Sequence, residues 1–266
     1  MLSYLRVPVE GAGEAAERLA EEALAQGLSG LYFAPTPKRR DDEGSEAWRA
    51  DSPMIEALIA ARATAPELAI WSELDLSAYH RSGRPGHELE GMIDLETAHE
   101  ALGKAAITLG ETGVDVIALR GLFDGGAGVL REALDEAGLD RIAILSFAAD
   151  LYSPFAERRP VSANKAADLL DPLDPGAIAR QAEVDASEGA DFLGVQPCLF
   201  AQDILHKLAD DHDIPVVARL TEHEIKMIEN TARTGTADLS ELAETVHGTL
   251  LRAGARLVVT PWAGLM

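Results

Sequence analysis

Short apolar runs bounded by turn residues alternate, from end to end of this chain, with longer segments whose apolar positions recur at helical spacing. The apolar runs predict strands at Leu2–Val9, Leu31–Ala34, Leu68–Leu74, Val116–Leu119, Ile142–Phe147, Phe192–Val195, Val216–Leu220 and Arg256–Thr260. The periodic segments predict helices over Glu14–Ala25, Ser52–Ala63, Leu95–Thr112, Gly128–Ala137, Ile178–Gly189, Asp203–Ala209, Glu224–Thr234 and Ser240–Ala253. The unit is clearest around residue 196, where an apolar strand runs into Gln196, stops at Pro197 and gives way to a helix near Asp203. A Gly-x-Asp turn between helix and strand recurs at Gly113-Val-Asp115 and Gly189-Ala-Asp191, with Gly254-Ala-Arg256 as a variant. Two polar segments interrupt the rhythm, Asp75–Asp94 and Ala148–Asp174.

Strands joined by helical crossovers pair in parallel, and eight of them predict a single-domain (β/α)8 barrel over residues 1–266. A doubly wound open sheet is the rival, but no glycine-rich phosphate loop follows the first strand. The helix that should follow the last strand is nearly absent. A chain of 266 residues with 47% hydrophobic content supports one large core. Its net charge of -22 argues against a nucleic-acid partner and reads first as a solvated surface. The one cysteine, Cys198, rules out an internal disulfide and any cysteine-cluster metal site. With neither a long apolar span nor a basic-then-apolar leader, the expectation is a cytoplasmic protein without a membrane partner.

Barrel chemistry sits at the carboxyl ends of the strands. That rule nominates Glu73, Asp75, Arg120, Asp124, Asp150, Tyr152, Gln196, Arg219, Glu222 and Thr260, with both polar segments on the same face as a natural lid. Asp150 near Glu73 or Asp75 would give paired carboxylates for acid–base work, the rival being a loop ion pair with Arg158 or Arg159. Arg120 and Arg219 suit a carboxylate or phosphate, or else pair with neighbouring acids. Gln196 either contacts a ligand or caps a loop. His80, His87, His223 and Glu224 are metal-competent, but no tight ligand spacing is present and solvated loop residues are the simpler reading.

Several stretches taken in order resemble the porphobilinogen synthase (5-aminolevulinate dehydratase) family, whose members condense two 5-aminolevulinate molecules. They are Asp42-Glu-Gly-Ser-Glu-Ala47, Arg131-Glu-Ala-Leu-Asp-Glu-Ala-Gly138, Ile144-Leu-Ser146, Tyr152-Ser-Pro-Phe155, Asp171-Pro172, Glu188-Gly-Ala-Asp191, Val195-x-Pro197 with Asp203-Ile204, and Arg252-Ala-Gly254. The resemblance also implies a (β/α)8 barrel. It places the family's two Schiff-base lysines at Gln196 and Asp150, where neither side chain can form an imine. It places the metal-binding residues at Asp75, Ser77 and Pro85, of which only Asp75 can ligate. No cofactor is therefore expected, with a metal left as an open alternative. Other family site residues fall on Arg120, Glu222, Pro261 and, in the lid, Lys165, while Asp124-Gly125 is retained. The basic arm that ties family members into octamers precedes the first strand and is absent from this sequence, so the expectation is a monomer or small homo-oligomer.

The scaffold motifs persist while the site residues differ. The expectation is a remodelled barrel acting on a small carboxylate-bearing amine or keto acid without a lysine imine. Asp150, Gln196, Asp75, Glu73 and Glu222 would carry the chemistry, and Arg120, Asp124, Arg219, Lys165, Tyr152 and Thr260 would bind substrate. Lys226 or Lys165 could replace the lost amines. A non-catalytic ligand-binding or regulatory barrel is the alternative, and an ordinary porphobilinogen synthase ranks last.

Overall fold

A computed structural model describes residues 1–86, 88–89, 92–121, 125–157, 169–235 and 237–265. The eight barrel strands are β1 (Leu2–Arg6), β2 (Gly30–Ala34), β3 (Ala69–Leu74), β6 (Val116–Leu119), β7 (Ala143–Asp150), β8 (Phe192–Gln196), β9 (Val216–Arg219) and β10 (Leu257–Thr260). They close in chain order, with β10 pairing back onto β1, and every barrel pairing is parallel. The helices between them are α1 (Ala12–Ala25), α2 (Pro53–Thr64), α4 (Leu95–Gly110), α5 (Gly126–Glu136), α6 (Pro175–Ser187), α7 (Gln202–Asp211) and the pair α8 (Glu222–Arg233) and α9 (Leu239–Arg252). A short helix α3 (Leu76–Tyr79) and a hairpin of β4 (Glu88–Leu89) and β5 (Met92–Ile93) occupy the first polar segment. After β10 the described residues form a 3-10 turn, Ala263–Leu265. No helix among the described residues is long and apolar enough to cross a membrane.

Inward-facing residues, among them Tyr4, Tyr32, Trp71, Leu145, Phe147, Val217 and Val259, fill the barrel. Two larger clusters pack the helices onto its outside. The recurrent Gly-x-Asp turns have a physical reason. Gly113 and Gly189 take positive φ, which ends each preceding helix at little cost. The aspartate then accepts the amide that opens the neighbouring strand, Asp115 from Ile70 at 2.7 Å and Asp191 from Ile144 at 2.8 Å.

Two strand boundaries differ from expectation by more than one residue. The first strand ends at Arg6 rather than Val9, because Pro8 has no N–H to continue the ladder. The fifth runs on to Asp150 rather than stopping at Phe147, through a register shift against β8 between Ser146 and Ala149. The irregularity leaves Asp150 directly opposite Gln196. A Cβ on Gly194 of β8 would lie 2.5 Å from the Phe147 ring, so glycine is needed where the shifted strand leans across.

Beneath β7, the carboxylate of Asp185 on α6 accepts from Ser146 Oγ and Gln181 Nε2, each at 2.8 Å. Burial pushes this carboxyl up to about 6, against the opposing effect of the two hydrogen bonds. A raised folded pKa contributes stability that is full below the unfolded value and lost as pH rises through about 6. Asp185→Asn should therefore be more stable than the parent above pH 6, by roughly 1–3 kcal/mol, and near neutral at pH 4. Urea unfolding at both pH values checks this, and an equal difference at the two would rule out the titration.

Candidate functional site

The carboxyl ends of the strands deliver charged groups to one place because several strands carry a polar residue at or next to the end of their apolar run. Arg6 comes from β1, Glu73 from β3, Asp150 from β7, Gln196 from β8 and Arg219 from β9. Arg120 directly follows β6, Asp75 follows β3, and Glu222 opens α8. Glu157 arrives from the loop after β7.

The arrangement centres on a ring of alternating charge. Arg120 Nη1 donates to Glu73 Oε1 at 3.0 Å, and Glu73 Oε2 lies 3.4 Å from Arg219 Nη2. Arg219 Nη2 donates to Glu157 Oε2 at 3.2 Å, and that oxygen lies 3.5 Å from Arg120 Nη1. Arg6 Nη2 adds a bond to the same oxygen at 2.9 Å, while the Glu222 amide donates to Glu157 Oε1 at 2.9 Å. Arg120 also faces Asp150 at 3.5 Å and Asp75 at 4.0 Å. Arg219 is 0% exposed; it donates to Gln196 Oε1 at 2.8 Å and lies over the Tyr4 and Tyr32 rings. Tyr32 donates to Glu73 at 3.0 Å. A cleft of about 510 Å³ opens above, lined by Arg6, Glu73, Asp75, Arg120, Glu157 and Glu222 among others.

The ionisation follows from this geometry. Burial would raise the Glu157 carboxyl, but Arg219, Arg120 and Arg6 outweigh it and hold the group well below the usual carboxylate range. Burial opposes the charge on Arg120, and Glu73, Asp150 and Asp75 overcome that; burial likewise opposes Arg219, and Glu157 and Glu73 overcome it. The Tyr4 and Tyr32 hydroxyls are pushed up by burial, so both stay protonated; Tyr32 donates to Glu73, while Tyr4 accepts from Arg219 Nη2 at 3.4 Å.

The structure brings together Glu73, Asp75, Arg120, Asp150, Gln196, Arg219 and Glu222. Asp150 is paired with Arg120, while Arg158 and Arg159 lie outside the described residues, as do Asp124, Lys165 and His87. Tyr152 lines a second cleft with Ser153, Pro154, Leu169, Asp171, Pro172 and Leu173. Thr260 serves its own turn, its hydroxyl accepting from the Trp262 amide at 3.2 Å. Lys226 points outward, 65% exposed, and pairs with Glu222 at 3.7 Å. Cys198 is fully buried and its thiol is pushed up, as suits a packing residue.

Two of the metal-competent residues, His80 and Glu224, do other work. His80 binds Ser82 Oγ and the Asp42 carbonyl. Glu224 closes a capping box with Thr221 and accepts from the Leu199 amide at 2.7 Å, tying the loop after β8 to α8. Glu224→Ala should cost about 2–4 kcal/mol, from the lost cap and the stranded amide. Urea unfolding measures it, and a loss under 1 kcal/mol would refute the tie. No group of three or more His, Cys, Asp or Glu side chains is placed to hold a metal among the described residues.

Sequence reasoning missed Arg6, Glu157, Tyr4 and Tyr32. Arg6 was legible as the last residue before Val7-Pro8; Glu157 stands in a run with Arg158 and Arg159 that carries no strand-end signal.

Residues 4–266 match the family model described as delta-aminolevulinic acid dehydratase. The chain is 29% identical to the delta-aminolevulinic acid dehydratase of Bacillus subtilis (strain 168) over 246 residues, 90% of this chain and 76% of that protein. It is 31% identical to the Streptomyces coelicolor protein of the same name over 258 residues, 93% of this chain and 78% of that one. The fold superposes on the Toxoplasma gondii ME49 delta-aminolevulinic acid dehydratase, solved in complex with its reaction product porphobilinogen, with a TM-score of 0.88 and 26% identity, covering 99% of this chain and 81% of that one. A dihydropteroate synthase from Xanthomonas albilineans, at TM-score 0.55 and 12% identity, shares the fold alone. With nearly its whole length matched, the chain belongs to the delta-aminolevulinic acid dehydratase family.

Proposed function

We propose that this barrel has a remodelled site that acts on a small carboxylate-bearing amine or keto acid without forming a lysine imine. The carrying observation is the composition of the mouth. Asp150 and Gln196, the positions that the resemblance gives to the two imine-forming lysines, stand opposite each other in a cluster whose buried cations are arginines among the described residues, with Lys226 touching only its exposed edge at Glu222. A guanidinium remains protonated and a carboxamide carries no nucleophilic amine, so neither can attack a ketone. In this reading Arg120 and Arg219 attract the substrate carboxylate. Asp150 moves the proton at the reacting carbon, and Glu73, hydrogen-bonded by Tyr32, receives or returns it.

A second reading, a ligand-binding barrel without turnover, is favoured by a different observation. The guanidiniums of Arg6, Arg120 and Arg219 are already engaged by carboxylates of the chain, and Arg219 and Gln196 are 0% exposed.

Calorimetric titration with 5-aminolevulinate, a pyrrole-colour assay and borohydride trapping on the same preparation separate the readings. Binding without pyrrole, and without an adduct at Lys226 or Lys165, supports the remodelled site. Turnover of a related amine or keto acid that Asp150→Ala abolishes would establish it, and saturable binding with no turnover would favour the second reading. Pyrrole formation would establish the family's ordinary reaction and overturn both.

A further inference from the structure

The cradle at the barrel mouth is built for one carboxylate, and the chain supplies that carboxylate itself. Three guanidiniums converge on Glu157 Oε2, Arg6 at 2.9 Å, Arg219 at 3.2 Å and Arg120 at 3.5 Å, and the first amide of α8 holds Oε1. Three arginines and a helix N-terminus around one carboxylate make a recognition geometry seldom needed for a loop residue alone. Two further donors lie on Arg219 and on the Gln196 side chain bonded to it, Arg219 Nε and Gln196 Nε2, both in fully buried side chains and without a hydrogen-bond partner among the described residues. Glu157 lines the cleft, whereas Arg219 and Gln196 do not; its carboxylate sits between the open space and those buried groups.

We propose that Glu157 is an internal occupant of a carboxylate-binding site, and that a ligand's carboxylate enters the Arg6–Arg120–Arg219 cradle only by displacing it. This deepens the reading above by naming the substrate's anchoring group and the residue that competes with it. The exchange makes and breaks no covalent bond. One carboxylate replaces another of equal charge, so the cradle keeps its balance throughout, while the orphaned donors gain an acceptor if the incoming group sits deeper. An empty cradle would leave three guanidiniums partly uncompensated, which explains why the chain carries a resident carboxylate. The residue thereby taxes every carboxylate ligand by the stability of its own contacts.

The test uses acetate, because Glu157→Ala removes the atoms of an acetate ion from the cradle. Thermal unfolding of the full chain is followed with added sodium acetate, inorganic phosphate or sodium chloride at matched ionic strength. Acetate should raise the melting temperature of Glu157→Ala by about 5 °C at saturation, raise that of Glu157→Gln by less because the amide is a weaker competitor, and leave the parent, which keeps its resident carboxylate, nearly unmoved. An equal response to chloride would overturn the site, and an equal response to phosphate would overturn the carboxylate assignment. A folded Glu157→Ala that ignores acetate would overturn the proposal. If Glu157→Ala does not fold, calorimetry with levulinate on the parent and Glu157→Gln decides: the neutral amide competes less, so affinity should rise at least about tenfold, and equal affinities would overturn displacement. None of these readouts involves turnover, so the cradle can stand or fall independently of the proposed chemistry.

Discussion

Replacing Arg219 by methionine is expected to destabilise the protein by about 3–5 kcal/mol, because it removes one cation from a ring of buried charges and leaves the anions behind. Methionine matches much of the arginine stem, so the loss is mainly electrostatic rather than a cavity. Glu73 and Glu157 would each lose a guanidinium, at 3.4 and 3.2 Å, while Gln196 Oε1 would lose its donor at 2.8 Å. The Tyr4 and Tyr32 rings would lose the cation they face. At this chain length the melting temperature should fall by roughly 10 °C. The cause can be separated from packing by adding Glu73→Gln, which removes one stranded anion. The double variant should recover stability relative to additivity by more than about 1 kcal/mol. Additive losses within 0.5 kcal/mol, on the scale expected of independent sites, would show that Arg219 acts through packing and not through the ring.

The second large effect is an acid-dependent loss of stability traced to Glu157. Its folded pKa is depressed, so its contribution is complete above the ordinary value of 4.5 and is lost as pH falls through the folded value. Glu157→Gln keeps the shape and one acceptor but not the charge. At pH 7 the variant should be less stable by roughly 2–4 kcal/mol, since three arginines lose a shared counter-ion. The gap should begin to close below pH 4.5 and narrow steadily toward pH 3, as the unfolded chain takes up a proton that the folded carboxylate, held by three arginines, does not. Urea unfolding of both proteins at pH 7, 5, 4 and 3 follows the gap directly. A gap that stays constant would mean that Glu157 contributes through its shape, and the charge ring would need a different account. Together with the acetate experiment, this measurement distinguishes a counter-ion that merely stabilises the mouth from one that also occupies a ligand's place. The first would show the pH dependence and no acetate response, whereas the second shows both.

The order of strands and helices was written in the chain because it depends on local rules. Runs such as Val116–Leu119 and Val216-Val-Ala218, buried along their length, require apolar residues, and Gly113 and Gly189 stop the helices before two of the strands. Those rules also put Glu73, Gln196 and Arg219 at strand ends, so much of the site was legible once the barrel was inferred. Only the closed barrel decided which of these groups meet. Arg6 and Glu157 lie 151 residues apart in sequence and share a hydrogen bond at 2.9 Å. The register shift in β7 that sets Asp150 against Gln196 depends on how Phe147 packs over Gly194, a fit between two strands that neither carries alone. The same limit applies to Thr260 and Tyr152, which share strand-end or near-end positions with the site residues and yet serve a turn and line a second cleft. Hydrophobic period and turn chemistry are properties of neighbours in sequence, whereas a charge network is a property of neighbours in space; the sequence thus determined the scaffold, and the tertiary structure decided which carboxylate fills the arginine cradle.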